Sequence, residues 1–97
     1  MNNFTRAYLK KHLPPLYSQE HNPDPVVQAK FFTPWAGWTW YAIEFDGEGV
    51  MFGWVEGLDK ELGYFSLAEL EQVRGPGGLE IEQDLYFRPV PLSLIKE

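Results

Sequence analysis

The chain has 97 residues, enough for one compact domain that buries roughly two thirds of its unfolded surface and too few for two. Its 44% hydrophobic and 23% charged residues, with seven Phe, five Tyr and four Trp, place it in the globular class and not the disordered one. A net charge of -6 argues against free nucleic acid or an acidic lipid surface as ligand, and the lack of cysteine excludes disulfides, iron–sulfur clusters, thiolate zinc sites and a cysteine nucleophile.

No window approaches the roughly eighteen uninterrupted apolar residues of a membrane span, and no signal-peptide pattern is present, so a soluble cytoplasmic protein is expected. The charge is uneven: residues 1–43 carry +2 and residues 44–97 carry -8. Electrostatic partner preference is therefore expected in the C-terminal half.

Asn3 to Leu13 reads as a helix, with Asn3 or Thr5 as N-cap, Phe4, Tyr8 and Leu9 near one face, and Lys10, Lys11 and His12 at the negative end of its dipole. Pro14-Pro15 stops it, and Leu16 to Pro25 is a surface connection. Val26 to Thr33 alternates as a strand, with Val27, Ala29 and Phe31 on one side. Trp38 to Phe45 and Val50 to Glu56 are aromatic, β-favouring runs joined by Asp46-Gly47-Glu48-Gly49, a hairpin.

Pairing Phe45 with Val50 puts Ile43 opposite Phe52, Tyr41 opposite Trp54, Ala42 opposite Gly53 and Trp40 opposite Val55. The face of Tyr41, Ile43, Phe45, Val50, Phe52 and Trp54 is then the expected main core. Trp38, Trp40, Met51 and Val55 on the reverse face need a cover of their own, from a helix, the N-terminal segment or a partner. Glu61 to Phe65 is a short strand, and Ser66-Leu67-Ala68-Glu69 is a capping box that opens a helix to Arg74, stopped by Gly75-Pro76-Gly77-Gly78. Leu79 to Phe87 alternates weakly, with Leu79, Ile81, Leu85 and Phe87 inward, and Leu92 to Glu97 forms a docking tail.

Few residues suit catalysis. His12 and His21 are nine apart, a spacing that fits no helical or strand metal pair, and Ser66 is spent as a cap. Asp46-Gly47-Glu48-Gly49 lacks the further ligands of a calcium loop, and Gly75-Pro76-Gly77-Gly78 lacks the Lys-Ser/Thr ending of a phosphate loop. Glu44 and Glu56 are the only carboxylates worth weighing as a hydrolytic pair, and water-facing strand ends explain both. No enzyme, cofactor or metal is expected.

The strings Lys30-Phe31-Phe32-Thr33-Pro34, Trp38-Thr39-Trp40-Tyr41 with Glu44, Phe52-Gly53 and Glu61-Leu62-Gly63-Tyr64-Phe65-Ser66-Leu67-Ala68-Glu69-Leu70 resemble the domain-of-unknown-function family 2958 of small bacterial proteins. Asp84-Leu85-Tyr86-Phe87 is similar to an acidic-Leu-Tyr-Phe run in the same family. The resemblance implies an accessory protein of plasmids, integrative elements or phage-related DNA, and it carries over no catalytic residue. It leaves Met1 to Pro25 uncovered.

The expected fold is a single α+β domain over residues 1–97. Its antiparallel sheet of three to five strands is centred on the hairpin 38–56, with helix 66–74 on one face and the N-terminal helix on part of the other. The expected function is non-enzymatic: a binding or adaptor protein of a mobile element that engages a protein partner through Trp35, Trp38 and Trp40, rimmed by Glu44, Asp46, Glu48 and Glu56. The alternative is an acidic nucleic-acid mimic that inhibits a restriction, CRISPR or other nucleic-acid enzyme. A third class would use the tryptophans for a sugar or small molecule. Direct nucleic-acid or membrane binding is not expected, and two apolar sheet faces suit a homodimer.

Overall fold

The computed structural model describes residues 3–97, with side chains from Arg6 onward. The elements are α1 (Asn3–His12), β1 (Val26–Val27), β2 (Ala29–Phe32), β3 (Thr39–Phe45), β4 (Val50–Glu56), β5 (Lys60–Ser66), α2 (Leu67–Gln72), β6 (Glu82–Gln83), β7 (Val90–Pro91) and α3 (Leu92–Lys96). Five strands form an antiparallel sheet in the order β5-β4-β3-β2-β6, and β1 pairs separately with β7. The fold is α+β. The expected caps at Asn3 or Thr5 and the Phe4 contact lie outside the described side chains.

The hairpin forms where its residues require it. Asp46 ends β3, and its carboxylate accepts from the backbone N–H groups of Glu48, Gly49 and Val50 at 2.8, 2.8 and 3.0 Å, while Gly47 takes the left-handed turn position. Trp40 opposes Val55, Tyr41 opposes Trp54 and Ala42 opposes Gly53, as expected. Beyond Ala42 the register slips: Glu44 opposes Phe52 and Phe45 opposes Met51. This is a β-bulge, an extra residue that turns every later side chain of the strand to the other face.

The expected faces are reversed: the side of Trp40, Met51 and Val55 carries the main core, that of Tyr41 and Trp54 the smaller cluster, and the bulge moves Phe45 across to the main core. The main core is built on Phe31, Ala42, Phe45, Met51 and Phe65, and both α1, through Leu9 and with Leu13 just after it, and α2, through Leu67 and Leu70, cover that same face. The N-terminal helix therefore does not cover the opposite face. Tyr41, Ile43 and Trp54 sit on that second face in a smaller cluster with Val27 and Leu92.

Other boundaries differ for local reasons. The Val26 to Thr33 run is split at Gln28, so Val27 joins the second cluster while Ala29 and Phe31 join the main core. Ser66 caps α2, with Glu69 N–H donating to its Oγ at 2.9 Å, but the helix stops at Gln72: Val73 is extended, and Arg74 forms a bridge and a 3.1 Å ion pair with Glu80. Between Leu79 and Phe87 only Glu82–Gln83 is strand. Ile81 is buried there and Phe87 half-buried, whereas Leu79 and Leu85 face outward. The tail does dock: Leu92 of α3 is buried, and Ser93 donates from both its backbone N–H and its hydroxyl to Asp24.

Two carboxylates tie the fold to pH. Asp46 is held below its ordinary value by the N–H donors of Glu48, Val50 and Gly49, and Asp24 by the N–H and hydroxyl of Ser93, with Lys96 adding attraction. Because folding lowers both, their stabilisation is full above the unfolded carboxylate value of about 4 and is lost as pH falls through the lower folded values. The urea midpoint of the wild type is expected to drop across that acid range. That of Asp46→Asn should change less there, since its turn no longer titrates.

Candidate functional site

The expected tryptophan patch is only partly assembled. Trp38 and Trp40 stack with ring centroids 5.8 Å apart, but Trp35 and Trp40 are half-buried against the main core and only Trp38, 38% exposed, opens to solvent. Trp35 lies on the backbone of Gly75 and Trp38 on that of Gly57, where an added Cβ would overlap either ring. These are packing positions. Trp40→Ala is expected to cost about 3 kcal/mol and Trp38→Ala about 1 kcal/mol in urea unfolding, and equal losses would contradict this division.

Nor do the acidic residues rim these rings. Asp46 and Glu48 lie at the hairpin turn, the opposite end of β3 from Trp38. Glu56 accepts from the Trp54 Nε1–H at 3.0 Å, which ties it to the second face. Glu44 is 4% exposed, and its carboxylate faces inward.

Glu44 instead organises a different site. The bulge places it on the second face beside Ile43, opposite Phe52. Its two oxygens accept from the backbone N–H groups of Tyr17 and Gln19, at 2.9 and 2.7 Å. A buried carboxylate needs such donors, and here the connection after α1 supplies them. Tyr17 is thereby held at φ 69°, and it is the one non-glycine residue with positive φ among the described residues. A bulky side chain in that region costs about 1 kcal/mol. Its ring nevertheless stands 62% exposed.

Between this connection, α3 and the second face runs a groove of about 380 Å³, lined by Tyr17, Ile43, Phe52, Leu62, Tyr64 and Leu92 among others. Tyr64, 57% exposed, packs against Phe52 with the rings tilted at 57° and centroids 5.0 Å apart. Hydrogen bonding to the Tyr17 hydroxyl, with some desolvation, raises the Tyr64 phenol above its ordinary value. Lys96 spans the groove's far side, its ammonium 5.0 Å from the Trp54 ring centre. Sequence reasoning missed this site because Glu44 read as a water-facing strand end. One signal was available: a carboxylate between Ile43 and Phe45, with Gly53 in the facing strand, marks an irregular strand.

The groove pairs an aromatic and aliphatic wall with a polar margin of Gln19, Glu20, Asn22 and Lys96, and its one buried carboxylate, Glu44, is already committed to backbone donors. His12 lies against Tyr8, 4.3 Å between ring centres, and His21 is exposed in the connection. Among the described residues no group of three or more His, Asp or Glu is placed to hold a metal, and no helix is long and apolar enough to cross a membrane.

Fold and groove thus define a small α+β protein whose antiparallel sheet carries helices on both faces. The chain belongs to the family described as Protein of unknown function (DUF2958), whose model matches residues 3–95 and so includes the N-terminal segment that the sequence motifs left uncovered. No curated protein and no solved structure matches it.

Proposed function

We propose that this is a non-enzymatic binding protein, an accessory protein of a mobile genetic element acting in the cytoplasm, that engages a protein partner by taking an apolar anchor side chain into the groove beside Tyr17 and Tyr64. The observation that carries the reading is Tyr17. An exposed aromatic ring is kept in a costly backbone conformation by a buried carboxylate, over a concave apolar surface, and strain of this kind collects at functional positions. The groove is at the small end of the range for ligand sites, about 300 to 1,000 Å³, which suits a single anchor residue. The acidic C-terminal half favours a basic rim on the partner. The mobile-element setting rests on the family resemblance alone.

Mimicry of nucleic acid has less support. Glu44 is buried with both oxygens bonded to backbone donors, and Asp24 spends both oxygens on Ser93, so neither is free to stand in for a phosphate. The test is affinity capture from host lysate at low and high salt, with wild type and Tyr17→Gly in parallel. The expected result is a partner held by the wild type at both salt concentrations and lost by Tyr17→Gly. A nucleic-acid enzyme retained only at low salt, and equally by both proteins, would overturn the reading in favour of mimicry.

A further inference from the structure

The two edges of the five-stranded sheet are unlike. β6 spans only Glu82–Gln83, with Glu80 and Asp84 beside it, so it is short and acidic. β5 spans seven residues, pairs with β4 without a bulge, contains no proline and carries charge only at Lys60 and Glu61. Its only edge protection is the charged pair at its first two residues; from Leu62 to Ser66 it has no charge, proline or bulge to keep the edge from pairing with another chain.

The hydrogen-bond alternation fixes which groups are open. Asp46 N–H donates to Val50 C=O, and Leu67 N–H donates to Gly49 C=O. Even-numbered residues of β4 therefore point their backbone groups at β3 and odd-numbered ones at β5. Across the β4–β5 register, Glu61, Gly63 and Phe65 bond to β4, while Leu62 and Tyr64 turn their N–H and C=O outward. Their side chains, 46% and 57% exposed, lie on the groove face.

We propose that two copies of this chain pair antiparallel through β5, with the two-fold axis at Gly63, so that Leu62 of each copy lies opposite Tyr64 of the other. In this register every outward backbone group of Leu62 and Tyr64 meets its complement, and two apolar cross-strand pairs form. Lys60 falls opposite Ser66 and Glu61 opposite Phe65, so no like charges are opposed. β5 carries no net charge in a chain of net charge -6, whereas the β6 edge is acidic, so of the two edges this is where a second copy meets less repulsion. Gly63 fits the axis, since an added Cβ there meets nothing within 4 Å. The axis stands perpendicular to the sheet, so the two grooves lie side by side on one face of a continuous ten-stranded sheet.

The register is testable because the chain has no cysteine. Gly63 and its symmetry mate form a non-hydrogen-bonded pair with Cα atoms about 4.5 Å apart, within disulfide reach. Gly63→Cys is expected to form a disulfide-linked dimer under mild oxidation about tenfold faster than Gly37→Cys, an exposed control with equally open space. Light scattering of the wild type should rise with concentration toward twice 11.3 kDa. Leu62→Lys with Tyr64→Lys should hold it at the single-chain mass, and Leu62→Glu with Tyr64→Lys should restore pairing. A single-chain mass at every concentration, or equal cross-linking at the two cysteines, would overturn the proposal. Gly63→Cys alters no groove side chain, so this result and partner capture can fail independently.

Discussion

Gly53→Val is expected to yield no folded protein under conditions where the wild type folds, and Gly53→Ala to lose about 3 kcal/mol or more in urea unfolding. Gly53 is buried in the middle of β4, opposite Ala42 where the bulge begins. A Cβ built there overlaps the carbonyl of Tyr41, with the Cα of Ala42 next in line at 3.1 Å. Both obstacles are backbone of the central strand, so nothing can rotate away. Domains of this size carry only about 5 to 15 kcal/mol of stability, and displacing β3 from β4 would consume most of it. A Gly53→Ala protein with wild-type stability would show that the strands approach less closely than described.

The second large effect is expected at Glu44. Glu44→Ala removes a buried acceptor from two backbone donors, at about 1.5 to 3 kcal/mol for each bond to a charged group, and a total loss of about 3 to 4 kcal/mol is expected. Glu44→Gln keeps one acceptor oxygen and turns an amide donor toward the other N–H, so about half that loss is expected. The Tyr17 turn should relax in both. If Glu44→Ala unfolds at the wild-type urea concentration, the carboxylate does not hold the connection, and the groove has no fixed wall.

Local chemistry made most of the elements legible. The Pro14-Pro15 stop, the Asp46 turn and the Ser66 cap each rest on residues whose bonding options are few, and all three stand where the sequence puts them. The faces of the sheet were not legible. Strict alternation through Ile43, Glu44 and Phe45 assigns Ile43 and Phe45 to one side, and a single extra residue separates them into different clusters. A bulge is decided by what covers each face, which lies far away in sequence. Here that is Leu9 and Leu13 on one side and the Tyr17 to Gln19 backbone on the other.

The same non-local logic hid the candidate site. Trp35, Trp38 and Trp40 stand out by residue type, yet all three pack within the fold, while Tyr17 looks like an ordinary residue in a loop after two prolines. Its positive φ arises from Glu44, 27 positions later. Such a contact leaves no periodic trace.

The most direct measurement is the unfolding free energy of Tyr17→Gly, taken beside its capacity to capture the wild-type partner. Glycine relieves the left-handed strain of about 1 kcal/mol or slightly more, and gives back about 0.5 to 1 kcal/mol through the freer unfolded chain. The expected result is a protein at least as stable as wild type, within about 0.5 kcal/mol, that no longer holds the partner. A variant destabilised by more than about 1 kcal/mol would mean that the Tyr17 ring serves folding, and one that still captures the partner would mean that it does not serve recognition.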